Sequence, residues 1–319
     1  MGYVVIERIA LLMLGGALVS MTSGCLATRT PAWVTVASLA IPAMPAAQGS
    51  WETAGSGPSG SSFAVELVTR GETEWEQRAA SEHARAAVEA WGRALEEAPT
   101  DSVLWARLAR AQVFLADAHV ASDPPGAREA SELFAAAITS AERSLLTRVP
   151  SLGAILRSGM PFSTVLGSMQ LADVPALYWR TLALARWARG NGGFVQQSVR
   201  EELRASMARV AELDRAYDGA GADRFLGDAW ASASTLQGGD LERARAHFEY
   251  AIDAAPHHLA TRVLFALDYA TKVQDRALFE RELRRVIASD PGSAEIAPEN
   301  LAEQARARAA LERMALLFP

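Results

Sequence analysis

The chain has 319 residues, 50% of them hydrophobic and 21% charged, with a net charge of -6. That is enough apolar material for a packed core, so the chain is not intrinsically disordered. The acidic balance removes the electrostatic basis for nucleic-acid binding, because phosphate neutralisation needs a basic face. The single cysteine, Cys25, excludes an internal disulfide framework and a multi-cysteine zinc site.

Residues Ile9 to Val19 form an apolar run preceded by Arg8 and followed by Ser23, Gly24 and Cys25. The run has the length of a signal-peptide core and is too short for a membrane-spanning helix. Residues 1–25 read as a signal segment whose small residues before Cys25 resemble a bacterial lipobox, with Cys25 lipidated and left as the first residue of the mature chain, although Thr22 stands where an aliphatic residue is usual. A second apolar stretch, Trp33 to Ala47, offers a conventional cleavage site after Ala47 instead. Both routes export the protein. Residues 26–75 read as a low-complexity tether, richest in Gly and Ser between Gln48 and Ser62.

From Glu76 onward, residues 76–319 read as one all-α domain. Helices are predicted over 76–98, 101–119, 126–147, 174–190, 195–214, 222–234, 240–254, 258–273, 276–288 and 298–317, separated by Pro and Gly signals. Asp240 is placed to cap the helix that follows it. Three stretches share one spacing: Ala87, Trp91, Ala94 then Pro99; Ala244, Phe248, Ala251 then Pro256; Phe279, Leu283, Val286 then Pro291. Each set of three falls on one helical face, and the proline lacks the N–H needed to continue the helix. Each stretch reads as the second helix of a hairpin. Trp105, Leu108 and Ala109 match the opening of a tetratricopeptide repeat, so the fold class is all-α, with tetratricopeptide-like hairpins stacked in a compact solenoid.

The apolar stretch from Arg148 to Val174 breaks this rhythm and must pack against something, either filling the core or lining a cavity. Between Leu145 and Gly190 five arginines face a single aspartate, which either steers an acidic partner or pairs with acids elsewhere.

Chemistry is sparse. The histidines His83, His119, His247, His257 and His258 have no metal-ligand spacing and read as solvated or capping residues. No nucleophile elbow, phosphate loop or dinucleotide fingerprint is present, so no catalytic residue, metal site or cofactor is assigned, and the chain reads as a non-enzyme.

From about Ala84 to the C terminus the chain resembles the T component of tripartite ATP-independent periplasmic (TRAP) transporters, the TatT-type lipoproteins. The resemblance lies in Asp173-Val-Pro-Ala-Leu-Tyr-Trp179, Arg224-Phe-Leu-Gly227, Gly238-Gly-Asp-Leu-Glu-Arg-Ala-Arg-Ala-His-Phe-Glu249 and Pro298-Glu-Asn-Leu-Ala-Glu303. It implies a helical periplasmic lipoprotein, lipid-anchored to a membrane and self-associating; Leu26 after Cys25, in place of the aspartate that signals inner-membrane retention, makes the outer membrane a candidate. It further implies a partner solute-binding protein of a TRAP system and a small hydrophobic or carboxylated ligand. Met160, Phe162, Tyr178, Trp179 and Trp187 are the residues expected to line a ligand cleft, since aromatic faces and thioethers suit an apolar ligand. A tetratricopeptide scaffold in envelope protein assembly is the alternative function.

Overall fold

The computed structural model describes residues 62–120 and 124–318. The signal segment 1–25 with Cys25, the stretch from Trp33 to Ala47 and the Gly/Ser-rich residues lie outside the described residues. Among the described residues all regular structure is helical and there is no strand.

The first helix, α1 (Ser62–Glu76), is a correction to the sequence reading, which assigned residues up to 75 to the tether. Gly/Ser composition ends at this point, and Ala64, Leu67 and Gly71 line up as one buried helical face against α2 (Ser81–Glu97). Gly71 is the residue that lets the two helices approach, because a Cβ there would stand 2.3 Å from the Trp91 indole. The same indole donates from Nε1 to the Val68 carbonyl at 3.3 Å, tying α2 back to α1.

The chain continues through α3 (Ser102–His119), α4 (Pro124–Arg148), α5 (Pro150–Ser158), α6 (Val174–Gly190), α7 (Gly193–Leu213) and α8 (Tyr217–Ser232). It ends with α9 (Leu241–Ala254), α10 (Leu259–Leu264) running into a π-helical turn at Phe265–Ala270, α11 (Arg276–Ala288), α12 (Ala297–Glu312) and α13 (Met314–Leu317). The three proline-terminated stretches form α2, α9 and α11. Their apolar triads are fully buried, from 0% to 2% exposed, and each helix stops two or three residues before its proline. Asp101, Asp240 and Asp275 cap α3, α9 and α11, each accepting from the backbone N–H three residues on.

Alternate helices form two rows. Going along the chain, α3 packs on α6, α6 on α8, α8 on α10 and its π turn, and α10 on α12. The helices α4, α7, α9 and α11 flank this row, each packed on its neighbours in sequence. The first row bends until α12 returns to α3. The hollow left inside that bend is the feature on which function turns.

The irregular segment after α4 forms α5 and short 3-10 turns at Phe162–Ser168 and Leu171–Asp173. Its Leu152, Leu156, Phe162, Val165 and Met169 are buried in the main core. Of the two roles open to this stretch, core filling is the one observed. The local arginine excess likewise resolves into pairing with acids: Arg148 with Asp173, Arg180 with Glu142 and Glu202, Arg186 with Asp117, and Arg189 with Asp228.

Candidate ligand cavity

The hollow is a cavity of about 540 Å³, lined by α3, α6, α8, α10, α12 and residues adjoining their first turns. Its aromatic wall comes from Tyr178 and Trp179 on α6, whose rings meet edge to face at 4.9 Å. Tyr178 is held by its tip: the hydroxyl donates to Asp218 Oδ2 at 2.7 Å and accepts from Arg224 Nη2 at 3.0 Å. Burial raises the Tyr178 pKa far above its ordinary value, so the hydroxyl stays a donor. Trp179 Nε1 donates to the Tyr217 hydroxyl at 3.0 Å, and burial lifts that phenol to about 12.

This clamp depends on an unusual backbone. Asp218, Gly219 and Ala220 all have positive φ, at 51°, 61° and 56°, and this left-handed turn brings the Asp218 carboxylate beneath Tyr178. Gly221 then passes so close that a Cβ would lie 2.5 Å from the Tyr178 hydroxyl. Burial pulls the Arg224 guanidinium towards the neutral form, but Tyr178 and Asp218 outweigh it and its pKa is raised. Arg224 is therefore a fixed cation.

The lining also holds apolar residues, Phe114, Leu182 and Phe225 among them, and a set of charged residues that are paired. Arg110 contacts Glu299 at 3.2 Å, Arg186 contacts Asp117 at 3.2 Å, and Arg189 contacts Asp228 at 2.9 Å. Arg224 contacts Asp218 at 2.6 Å, and Arg306 contacts Glu303 at the longer distance of 3.6 Å. All ten of these side chains line the cavity. His258 joins them from the start of α10; burial, followed by the Arg224 charge, lowers its pKa to about 4, so it is neutral at ordinary pH.

Of the five residues expected in a cleft, the structure brings two together. Tyr178 and Trp179 line the cavity. Phe162 is buried instead beneath the Arg180 guanidinium, 3.6 Å from its ring centre, Trp187 packs half-buried on the main core, and Met160 is 48% exposed. None of these three lines the cavity, although Trp187 lies on α6 between the cavity-lining Arg186 and Arg189. His258 is also a correction, being partly buried against the cavity with no capping hydrogen bond from its side chain. Periodicity carries no signal for Arg110, Asp228 or Glu303, which sequence reasoning missed. Arg224, Glu299 and Glu303 do fall within the quoted motif pieces, and these pieces meet at the cavity although they are far apart in the chain.

Among the described residues there is no group of three or more His, Cys, Asp or Glu side chains placed to hold a metal ion. A family model for the TRAP transporter T-component (TAtT) matches residues 106–318, about two thirds of the chain. The chain belongs to this family. The TRAP transporter T-component family is transport-associated and is not a known enzyme family. The match begins within α3 and runs to the end of the described residues, so it takes in all five helices that line the cavity. No curated protein matches the chain. Among the described residues of this T-component no helix is long and apolar enough to cross a membrane, and the family is compatible with a periplasmic location.

Proposed function

We propose that this protein is a non-catalytic periplasmic component of a TRAP transport system that holds a small ligand in the α3–α12 cavity and docks the solute-binding protein of that system. The observation that carries the reading is the cavity itself. Its volume of about 540 Å³ falls in the range of small-molecule sites, and its aromatic wall is held rigid by Asp218, Arg224 and Tyr217. Preformed aromatic faces bind an apolar ligand body at little entropic cost. The hairpins are tetratricopeptide-like in this reading, their first helices forming the concave surface, as is usual for stacked repeats. Cys25 carries the lipid that anchors the chain to a membrane, and the protein self-associates.

The test is native mass spectrometry and solvent extraction of the purified protein, with Trp179→Ala in parallel, together with co-purification from membranes. A retained small molecule that Trp179→Ala loses, and recovery of a TRAP solute-binding protein, are the results expected. An empty wild-type cavity with no such partner would defeat the proposal.

A further inference from the structure

One corner of the molecule, away from the cavity, gathers apolar and basic side chains that the fold leaves exposed. The turn after the π-helical segment is tied to α13, because Gln274, at a positive φ of 56°, donates from Nε2 to the Leu317 carbonyl at 3.5 Å. On the inner side Phe279 of α11 meets Phe318 edge to face at 5.1 Å, and Met314 packs on the same core. On the outer side Leu316 is 83% exposed, and Val273 and Leu317 are each 37% exposed. A single exposed leucine is ordinary, but these three share one corner.

Four cations accompany them. Lys272 and Arg276 flank the same turn, Arg313 immediately precedes α13, and Arg308 lies just over one turn further back on α12. All four are exposed, and among the described residues none of their side chains has an ion pair, a hydrogen bond or a ring contact. The acids here are Asp275, whose carboxylate caps α11, and Glu312. Four cations thus stand against two acids in a chain of net charge -6. This corner offers an anionic surface the positive charge that the chain as a whole does not.

We propose that this corner docks on an anionic phospholipid surface, with Val273, Leu316 and Leu317 entering the headgroup boundary and the four cations lying among the lipid phosphates. The shape selects a bilayer over a protein. A protruding knob of three aliphatic side chains falls short of the roughly 1,000 Å² that a stable protein interface buries. A bilayer interface takes up such a knob without a complementary pocket, since apolar side chains reach the acyl boundary while long basic ones keep their heads in the polar layer. Positive charge near anionic lipid adds to the attraction and is screened by salt. The contact depends neither on lipid at Cys25 nor on what the cavity holds.

The test uses the full chain carrying Cys25→Ser, so that no lipid is attached, with Leu316→Cys labelled by an environment-sensitive nitrobenzoxadiazole fluorophore. In a second sample the label is placed through Ala208→Cys, at an exposed position on α7. Vesicles of phosphatidylglycerol mixed equally with phosphatidylcholine are expected to shift the emission at position 316 to the blue and leave that at position 208 unchanged, while pure phosphatidylcholine shifts neither. Lys272→Glu combined with Arg313→Glu should weaken binding to the anionic vesicles roughly tenfold or more. No shift at position 316, an equal shift at both positions or with both vesicle types, or binding unaltered by the charge reversal overturns the proposal. A shift produced only by a solute-binding protein also overturns it and makes the corner a protein interface. The vesicle comparison is made on one labelled protein, so it decides the matter even if the charge-reversed variant fails to fold.

Discussion

Arg78 and Glu299, 221 positions apart in the chain, form a two-point ion pair, with Nε at 3.1 Å and Nη2 at 2.7 Å from the two carboxylate oxygens. Arg78 is 3% exposed and lies over the Trp75 ring, its guanidinium carbon 4.5 Å from the ring centre. It also donates to the carbonyls of Trp75 and Glu295, and Glu299 accepts in addition from Arg110. This contact joins the segment between α1 and α2 to α12 and closes the bend that encloses the cavity.

Glu299→Ala leaves a buried guanidinium short of its partner and is expected to cost on the order of 2 kcal/mol. Urea unfolding measures the loss, and a double-mutant cycle with Arg78→Ala should return a coupling of about 1–2 kcal/mol. Hydrogen exchange in α12 should quicken if the pair holds the ring shut. Additive single effects would show that it does not.

Arg180 is 2% exposed between Glu142, at 1%, and Glu202, with Phe162 stacked on it. Burial opposes its charge, yet Glu202 and Glu142 together raise its pKa. Arg180→Leu removes the buried guanidinium that Glu142 and Glu202 share and is expected to cost about 3–5 kcal/mol. Adding Glu142→Leu should recover a large part of that loss in the same urea experiment, because the desolvated charge goes with it.

Gly221→Ala forces a methyl group into the space of the Tyr178 hydroxyl, which Asp218 and Arg224 hold in place. The expected cost is about 1–3 kcal/mol in thermal unfolding, with loss of ligand retention in native mass spectrometry. A stable variant that still retains ligand would show that Tyr178 is not a fixed wall.

Two groups give opposite pH dependences. Burial, then the neighbouring Asp228 charge, raises Asp268 to about 7, above its ordinary value of 3.8. The folded state therefore holds the extra proton between those values, and stability from this group is lost as pH rises through that window. Asp268→Asn removes the burden of the ionised carboxylate, so its melting temperature should exceed the wild type above neutral pH and match it near pH 4. His258 is lowered from 6.5 to about 4 by burial, then by Arg224, with His257 and Arg110 adding to the effect and Asp218 opposing it. Its contribution is full above pH 6.5 and is lost as pH falls towards 4. His258→Gln should flatten the acid limb of the stability profile without touching the alkaline one.

The helical class, the helix stops and the buried faces of α2, α9 and α11 were legible in the sequence, because each depends on residues within a few positions of one another. An apolar triad at 3.6-residue spacing, a capping aspartate and a helix-ending proline act through local backbone geometry. Helix α1 was hidden because its buried face uses the small residues Ala64 and Gly71, and the role of Gly71 appears only when Trp91 stands against it. The aromatic pair Tyr178 and Trp179 was legible as a candidate wall, whereas Met160, Phe162 and Trp187 were misplaced because α6 has apolar neighbours on more than one side. Only the tertiary structure decided which arginine meets which carboxylate, that α12 returns to α3 and Arg78, and that a cavity remains between them. Those outcomes follow from the angles at which successive helices pack, and small angular differences accumulated over five helices select among partners more than a hundred residues apart.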